Sequence, residues 1–235
     1  MNNVQRNLTG IVVFDPDDCI ARAYKSELKY RGYQTKVFNT ACFCSSAGYN
    51  PFIYAQSDIG ITKFVSAFIS GTEGYNAPTD VKFASAETAL LSAIFSYIAN
   101  YAPKNEHNFS TVHEALKYMH SLGDDNDSAE FLLGLLRKTK PNSLAIRRYN
   151  DFQNTTGIRI NSILESCMNR LLPFSTVRMD AYMLNDELDL HLFGRDNAHK
   201  TVIIISAGKS PPFDFLAEIL HTQIIDTLCF ETANK

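Results

Sequence analysis

The sequence is short of the features that mark a membrane span, a nucleic-acid-binding tail or a disulfide scaffold. No apolar run approaches the roughly 18 residues that cross a bilayer, and the polar start MNNVQRNLTG lacks the apolar stretch of a secretory signal. An excess of charge of one sign is missing as well. Twenty-two basic and 25 acidic residues leave a formal charge of −3, so there is no global electrostatic footprint for nucleic acid and any DNA contact has to be local. The five cysteines, an odd number, fit reduced thiols in a cytosolic chain better than a disulfide framework. No low-complexity tract and no internal repeat is visible. The expectation from these absences is a soluble intracellular protein, and 45% hydrophobic content over 235 residues is enough to bury a core.

What is present opens with GIVVF, a short buried-strand run, then CIARAYKSELKYRG, a helical stretch stopped by glycine, then the strand-like YQTKVF. This is a βαβ-type opening. NTACFCSSAGYNPF carries turn residues throughout and reads as an irregular connection. From about residue 57 to 173 the apolar period is helical. SDIGITKFVSAFISG leads, and in SAETALLSAIFSYIANY the residues Leu90, Leu91, Ile94, Phe95 and Ile98 repeat at the spacing of a buried helix face. In STVHEALKYMHSLG, Thr111 and Glu114 stand at capping-box spacing and Gly123 is the stop. Asp127 or Ser128 is the expected cap of AEFLLGLLRKTK, and Asn142 that of SLAIRRYNDFQ. A last stripe, Ile160, Ile163, Leu164, Cys167, Met168, Leu171 and Leu172, runs up to Pro173.

The end returns to the opening pattern. KTVIIIS is a β-branched run fit for a central parallel strand, and a helix follows over about residues 212–231. The fold class expected is mainly α with a small α/β portion: an all-helical domain, 53–197, inserted between an N-terminal α/β segment, 8–52, and a C-terminal strand and helix, 198–235.

Four constellations bear on chemistry. SAGKSPP at residues 206–212 ends like a phosphate-binding loop, but Ile203 stands where the motif needs its first glycine, and Pro211 and Pro212 remove amide donors. IVVFDPDDC matches the opening motif of haloacid-dehalogenase-like phosphatases, in which Asp15 would be the nucleophile and Asp17 the general acid-base of a magnesium-dependent site. The stretch after Ser206, mostly one helix, is not expected to complete such a site. Cys42 and Cys44 form a C-x-C pair with His191, His199 and His221 as distant partners, without a second pair at zinc spacing, so free thiols are expected; His113 and His120 share a helix face as surface histidines. Arg137, Lys138, Lys140, Arg147 and Arg148 bracket Pro141 and are the candidates for contact with DNA phosphates.

Several stretches in one order resemble the TraG-like coupling proteins of type IV secretion, the hexameric, membrane-associated ATPases of conjugative DNA transfer. In that family a strand ends in Asp-Pro-Lys-Gly-Glu and is followed by a helix and a Lys-Arg-Gly-Tyr-type turn. The equivalents here are VVFDPDDC and KYRGYQTKVFN. Tyr49, Asn50, Pro51 and Phe52 match its Tyr-Asn-Pro-Phe, and NFSTV at 108–112 its Asn-Phe-Ser-Thr-Val. NSILESCMNRLLPF and FDFLAEILHTQIIDTL are similar to two further helices. The departure is at the first motif, where Asp17, Asp18 and Cys19 replace Lys-Gly-Glu.

The resemblance implies an all-alpha domain flanked by strands of an incomplete RecA-like motor fold. Both nucleotide-binding motifs, Walker A and Walker B, are expected to fall outside the chain. It further implies a non-catalytic role without a cofactor, binding of a relaxosome or relaxase protein and of DNA, and a place at the cytoplasmic face of a bacterial inner membrane. The alternative expectation is the magnesium-dependent phosphohydrolase.

Overall fold

The computed structural model describes residues 8–73, 81–123, 125–155, 160–195, 200–207 and 213–233, with side chains at 125, 126 and 230–233 left aside. The described chain is mainly helical with a small three-stranded parallel sheet. It divides into two compact units, one of Met1–Tyr49 with Asn185–Lys235, the other of Asn50–Leu184.

In the first unit β1 (Gly10–Phe14), helix α1 (Cys19–Tyr30) and β2 (Gln34–Asn39) follow one another as the sequence reading expects, and Gly32 takes φ +82 at the turn that ends α1. The two strands are nevertheless not neighbours. β3 (Thr201–Ser206) lies between them in the order β1-β3-β2 and pairs in parallel with both, Val12 and Lys36 each facing Ile203. All six residues of β3 are buried, which is why its sequence is β-branched throughout rather than alternating. Helix α10 (Phe215–Ala233) follows and buries Phe215, Leu216, Ile219, Leu220 and Ile224. Its start lies three residues after the expected one, and residues 208–212, with the glycine-lysine-serine turn, lie outside the described residues. Gly10 is held to hydrogen at Cα by close packing, since a Cβ there would meet the Phe193 ring at 2.9 Å.

The second unit contains α2 (Pro51–Tyr54), α3 (Asp58–Gly71), α4 (Val81–Tyr101), α5 (Phe109–Ser121), α6 (Asp125–Leu136), α7 (Leu144–Gln153), α8 (Ile160–Leu171) and α9 (Val177–Leu184). Its core is a cluster of six phenylalanines, Phe52, Phe64, Phe68, Phe95, Phe109 and Phe174, all fully buried. Ring centroids stand 5.0–6.0 Å apart, mostly edge-on or tilted, the arrangement that the ring quadrupole favours. Helix α4 is long and apolar enough by composition to cross a membrane, a correction to the expectation that no run approaches that length. Leu90, Leu91, Ile94, Phe95 and Ile98 are buried in it, and its acidic residue Glu87 is fully buried and paired.

That pair is the strongest polar feature of the unit. Arg170 of α8 donates from Nε to Glu87 Oε1 at 3.0 Å and from Nη2 to Oε2 at 3.2 Å, while Nη1 reaches the Ile69 carbonyl and Thr72 Oγ1, both at 3.1 Å. Ser166 donates to the same carboxylate. Both side chains are fully buried, and the fork-to-fork geometry with satisfied neighbours is what makes an enclosed ion pair tolerable. Next to it, burial and the Glu87 charge push the Cys167 thiol well above the ordinary cysteine range.

Helix ends differ from the expectation in a consistent way. Asn108, not Thr111, caps α5 and accepts from the Thr111 amide at 2.7 Å, which lets Phe109 enter the core as the first helical residue. Helix α6 begins at Asp125, so Asp127 and Ser128 lie inside it, and buried Ser128 donates to the Met119 carbonyl at 2.7 Å. Asn142 takes φ +63 and Ser143 caps α7. Ser128 serves a contact to the neighbouring helix, whereas Asn108 and Ser143 are local caps that stand three residues before and one residue after the positions expected. Helix α9 was not expected; it is short, and only Met179 and Met183 of it are buried.

Two outcomes test this core. Replacing Arg170 by alanine strands the Glu87 carboxylate and should cost about 3–5 kcal/mol of unfolding free energy in urea titrations. A thiol reagent should modify exposed Cys19 and Cys229 quickly in the native chain and Cys167 only after denaturation.

Candidate functional site

The acidic strand end is built as a tie between strand termini. The Asp15 carboxylate accepts from the Cys19 amide at 3.0 Å through Oδ1 and from the Ala21 amide at 2.9 Å through Oδ2, serving the orphan amides that begin α1. Asp18, at φ 56, joins all three strands: its Oδ1 receives Ser206 at the end of β3 and its Oδ2 receives Asn39 Nδ2 at 3.3 Å at the end of β2. Asn39 Oδ1 in turn accepts the Ala41 and Cys42 amides, and Thr40 donates to Asp214 at 2.7 Å. Asp15 is buried and both its oxygens are engaged by backbone, whereas Asp17 is exposed. The arrangement performs the work of a helix cap and a sheet clasp.

The C-x-C pair departs from the free thiols expected of it. The short turn Phe43–Ser45 brings the Cα atoms of Cys42 and Cys44 to 5.4 Å and the two are joined as a disulfide, a separation within the range such a bond spans. Among the described residues no three His, Cys, Asp or Glu side chains gather as a metal site, and His199 lies outside those residues. His221 packs edge-on against Phe14. His113 stands 4.0 Å from Glu114 and His120 3.2 Å from Glu165, each with its own carboxylate.

The basic residues fall into two groups. Arg147 pairs with Asp58 at 2.5 Å and also donates to the Asn142 carbonyl at 2.6 Å, and Arg148 reaches Asp151 at 3.2 Å. Arg137, Lys138 and Lys140 are exposed, and none of the three side chains has a partner among the described residues. The turn explains why. Thr139 is buried between them, donating to the Leu136 carbonyl at 2.7 Å and lying 3.0 Å from Ser143 Oγ, so the connection from α6 to α7 is pinned at its third residue. Its flanking cations are left on the outside.

Beside this turn is a polar pocket of about 280 Å³, walled by the start of α3, the end of α4 and the start of α7, with Lys140 and Arg147 at its rim. Ser96 lines it from α4; the residue is 3% exposed and its hydroxyl takes no hydrogen bond among the described residues. The serine gives no signal in the sequence, because a serine at one position of an apolar helix reads as a tolerated core residue.

No protein-family model, no curated protein and no solved structure matches this chain. The stretches that resemble the coupling proteins prove to hold structural anchors. Tyr49 donates to Gln223 Oε1 at 2.7 Å, Asn50 caps α2 and donates to the His107 carbonyl at 2.8 Å, Asn108 caps α5, and Phe52, Phe109 and Phe174 lie in the phenylalanine core with Arg170 in its ion pair.

The cap role of Asp15 predicts a stability effect. Asp15→Ala should lower unfolding free energy by about 1–2 kcal/mol, whereas Asp17→Ala should change it by less than about 0.5 kcal/mol, both read by denaturant titration.

Proposed function

We propose that this chain is a non-catalytic recognition module of the type IV coupling-protein kind, whose helical unit meets a DNA strand and a relaxosome or relaxase protein during conjugative transfer. In this reading Asn50–Leu184 is the all-alpha domain inserted into a RecA-like motor fragment, and the three-stranded sheet is what the chain carries of that motor. The residues that carry the family resemblance support the reading. So does the absence of carboxylate partners, among the described residues, for Arg137, Lys138 and Lys140.

That last observation carries the DNA part. A cation already paired on the surface offers little to a phosphate, because its partner must first be displaced, whereas an unpaired lysine or arginine exchanges only water and counterions. Three such cations on one turn make a local basic patch on a chain whose net charge is −3. Arg147 and Arg148, paired with Asp58 and Asp151, serve the helix packing and the patch rim instead. The mild overall acidity opposes non-specific adhesion and leaves binding to the patch.

Binding of a fluorescent single strand, followed by anisotropy from low to moderate salt, tests this. Three phosphate contacts give a slope of log affinity against log salt of about −2. Replacing Arg137, Lys138 and Lys140 together by alanine should flatten that slope toward zero, while Arg148→Ala should leave it nearly unchanged. Absence of any DNA binding at low salt overturns the DNA part of the reading.

A further inference from the structure

The pocket beside the basic turn has the makings of a ligand site. It is polar, about 280 Å³ in volume, and lies entirely within the helical unit. That volume is several times what a bare phosphate needs and stands at the small end of sites for organic ligands.

Its charges do not cancel. Asp58 is engaged by Arg147 at 2.5 Å, so that pair is close to neutral, and the Lys140 ammonium remains without a partner among the described residues. Helix α7 begins at the pocket wall with Leu144, and its cap Ser143 serves the Ile146 amide, not the first amide of the helix. The amino end of a ten-residue helix thus faces the same space as an unpaired cation, a combination that favours an anion.

A second observation is independent of charge. Ser96 is almost wholly buried, lines the pocket, and has a hydroxyl with no hydrogen bond among the described residues. A hydroxyl on the pocket wall that no described protein group satisfies is open to a hydrogen bond with whatever occupies the pocket. The other walls carry the amide of Gln56, that of Asn100, whose Nδ2 donates to the Ser96 carbonyl at 3.2 Å, and Tyr101, whose ring stacks on Tyr97 at 6.4 Å and whose hydroxyl accepts from the Lys140 amide at 3.4 Å. Amide edges with an aromatic ring are the means by which an unstacked base is held.

We propose that this pocket receives one nucleotide unit of a single strand, its phosphate met by Lys140, the Ser96 hydroxyl and the amino end of α7, its base by the amide and tyrosine wall. The proposal deepens the DNA-binding reading and rests on it. Arg137 and Lys138 then follow the strand outside, and the pocket fixes where along the strand the module stops.

The test uses the full chain and isothermal titration at low salt with dAMP, dCMP, dGMP and dTMP in turn. The corresponding nucleosides, inorganic phosphate and phosphoserine are the comparison probes. At least one monophosphate should bind with one-to-one stoichiometry, and its nucleoside, phosphate and phosphoserine should each bind about tenfold more weakly or less. Ser96→Ala and, on the surface where folding is not at stake, Lys140→Gln should each weaken the nucleotide about tenfold, the value of a hydrogen bond to a charged group. The proposal is overturned if no monophosphate binds, if phosphate or phosphoserine binds as tightly, or if neither substitution has an effect. Single-strand binding measured on the same sample separates the two readings. DNA bound without any mononucleotide affinity removes the pocket alone, and loss of both removes the DNA reading as well.

Discussion

The pairing of β3 on both its edges is the constraint on which the sheet unit depends. β1 and β2, joined by α1, stand one strand apart, and each has β3 as its partner in the sheet. Neither has a partner until the residues from Thr201 onward arrive. An isolated parallel pair is weak, and a gap between two strands is weaker still, so the unit is assembled across nearly the whole length of the chain. The contacts at the strand ends follow the same logic. Asp18 lies 188 residues from Ser206, and their hydrogen bond, with that to Asn39, closes the carboxyl edge once the centre strand is in place.

The helical unit has a core of its own, six phenylalanines packed ring to ring and one enclosed ion pair. The two differ in what they contribute. The phenylalanine rings supply apolar burial, and the Glu87–Arg170 fork adds directional bonds between α4 and α8 and reaches the Ile69 carbonyl at the end of α3.

The same sorting of charge shapes the surface. Of the five basic residues around Pro141, the structure spends Arg147 and Arg148 on carboxylates and leaves Arg137, Lys138 and Lys140 to solvent. Buried Thr139 holds the turn so that these side chains diverge from the core. The neighbouring pocket exists because the amino ends of α3 and α7 approach the flank of α4, bringing Ser96 out of an apolar stripe and into a polar wall. The Lys140 cation and a serine hydroxyl with no hydrogen bond among the described residues therefore line one pocket.

The longer helices, the glycine stop of α1 and the central character of Thr201–Ser206 were legible from residue spacing, because apolar periods of 3.6 and 2 and a continuous β-branched run are properties of a few adjacent residues, whereas the short α2 and α9 were not. The sequence also set the chemical inventory: few charges of excess, an acidic strand end, a basic turn. Only the tertiary structure decided how those groups are used. Glu87 meets Arg170 across 83 residues and Asp58 meets Arg147 across 89, distances over which spacing carries no signal. The same holds for the acidic cluster after β1. Its residues read equally as nucleophile, metal ligand or cap, and the amides of Cys19 and Ala21, with the ends of β2 and β3, make it a clasp. Local periodicity determines which elements form; the partner of a polar side chain is set by whichever unsatisfied group the fold brings within about 3 Å.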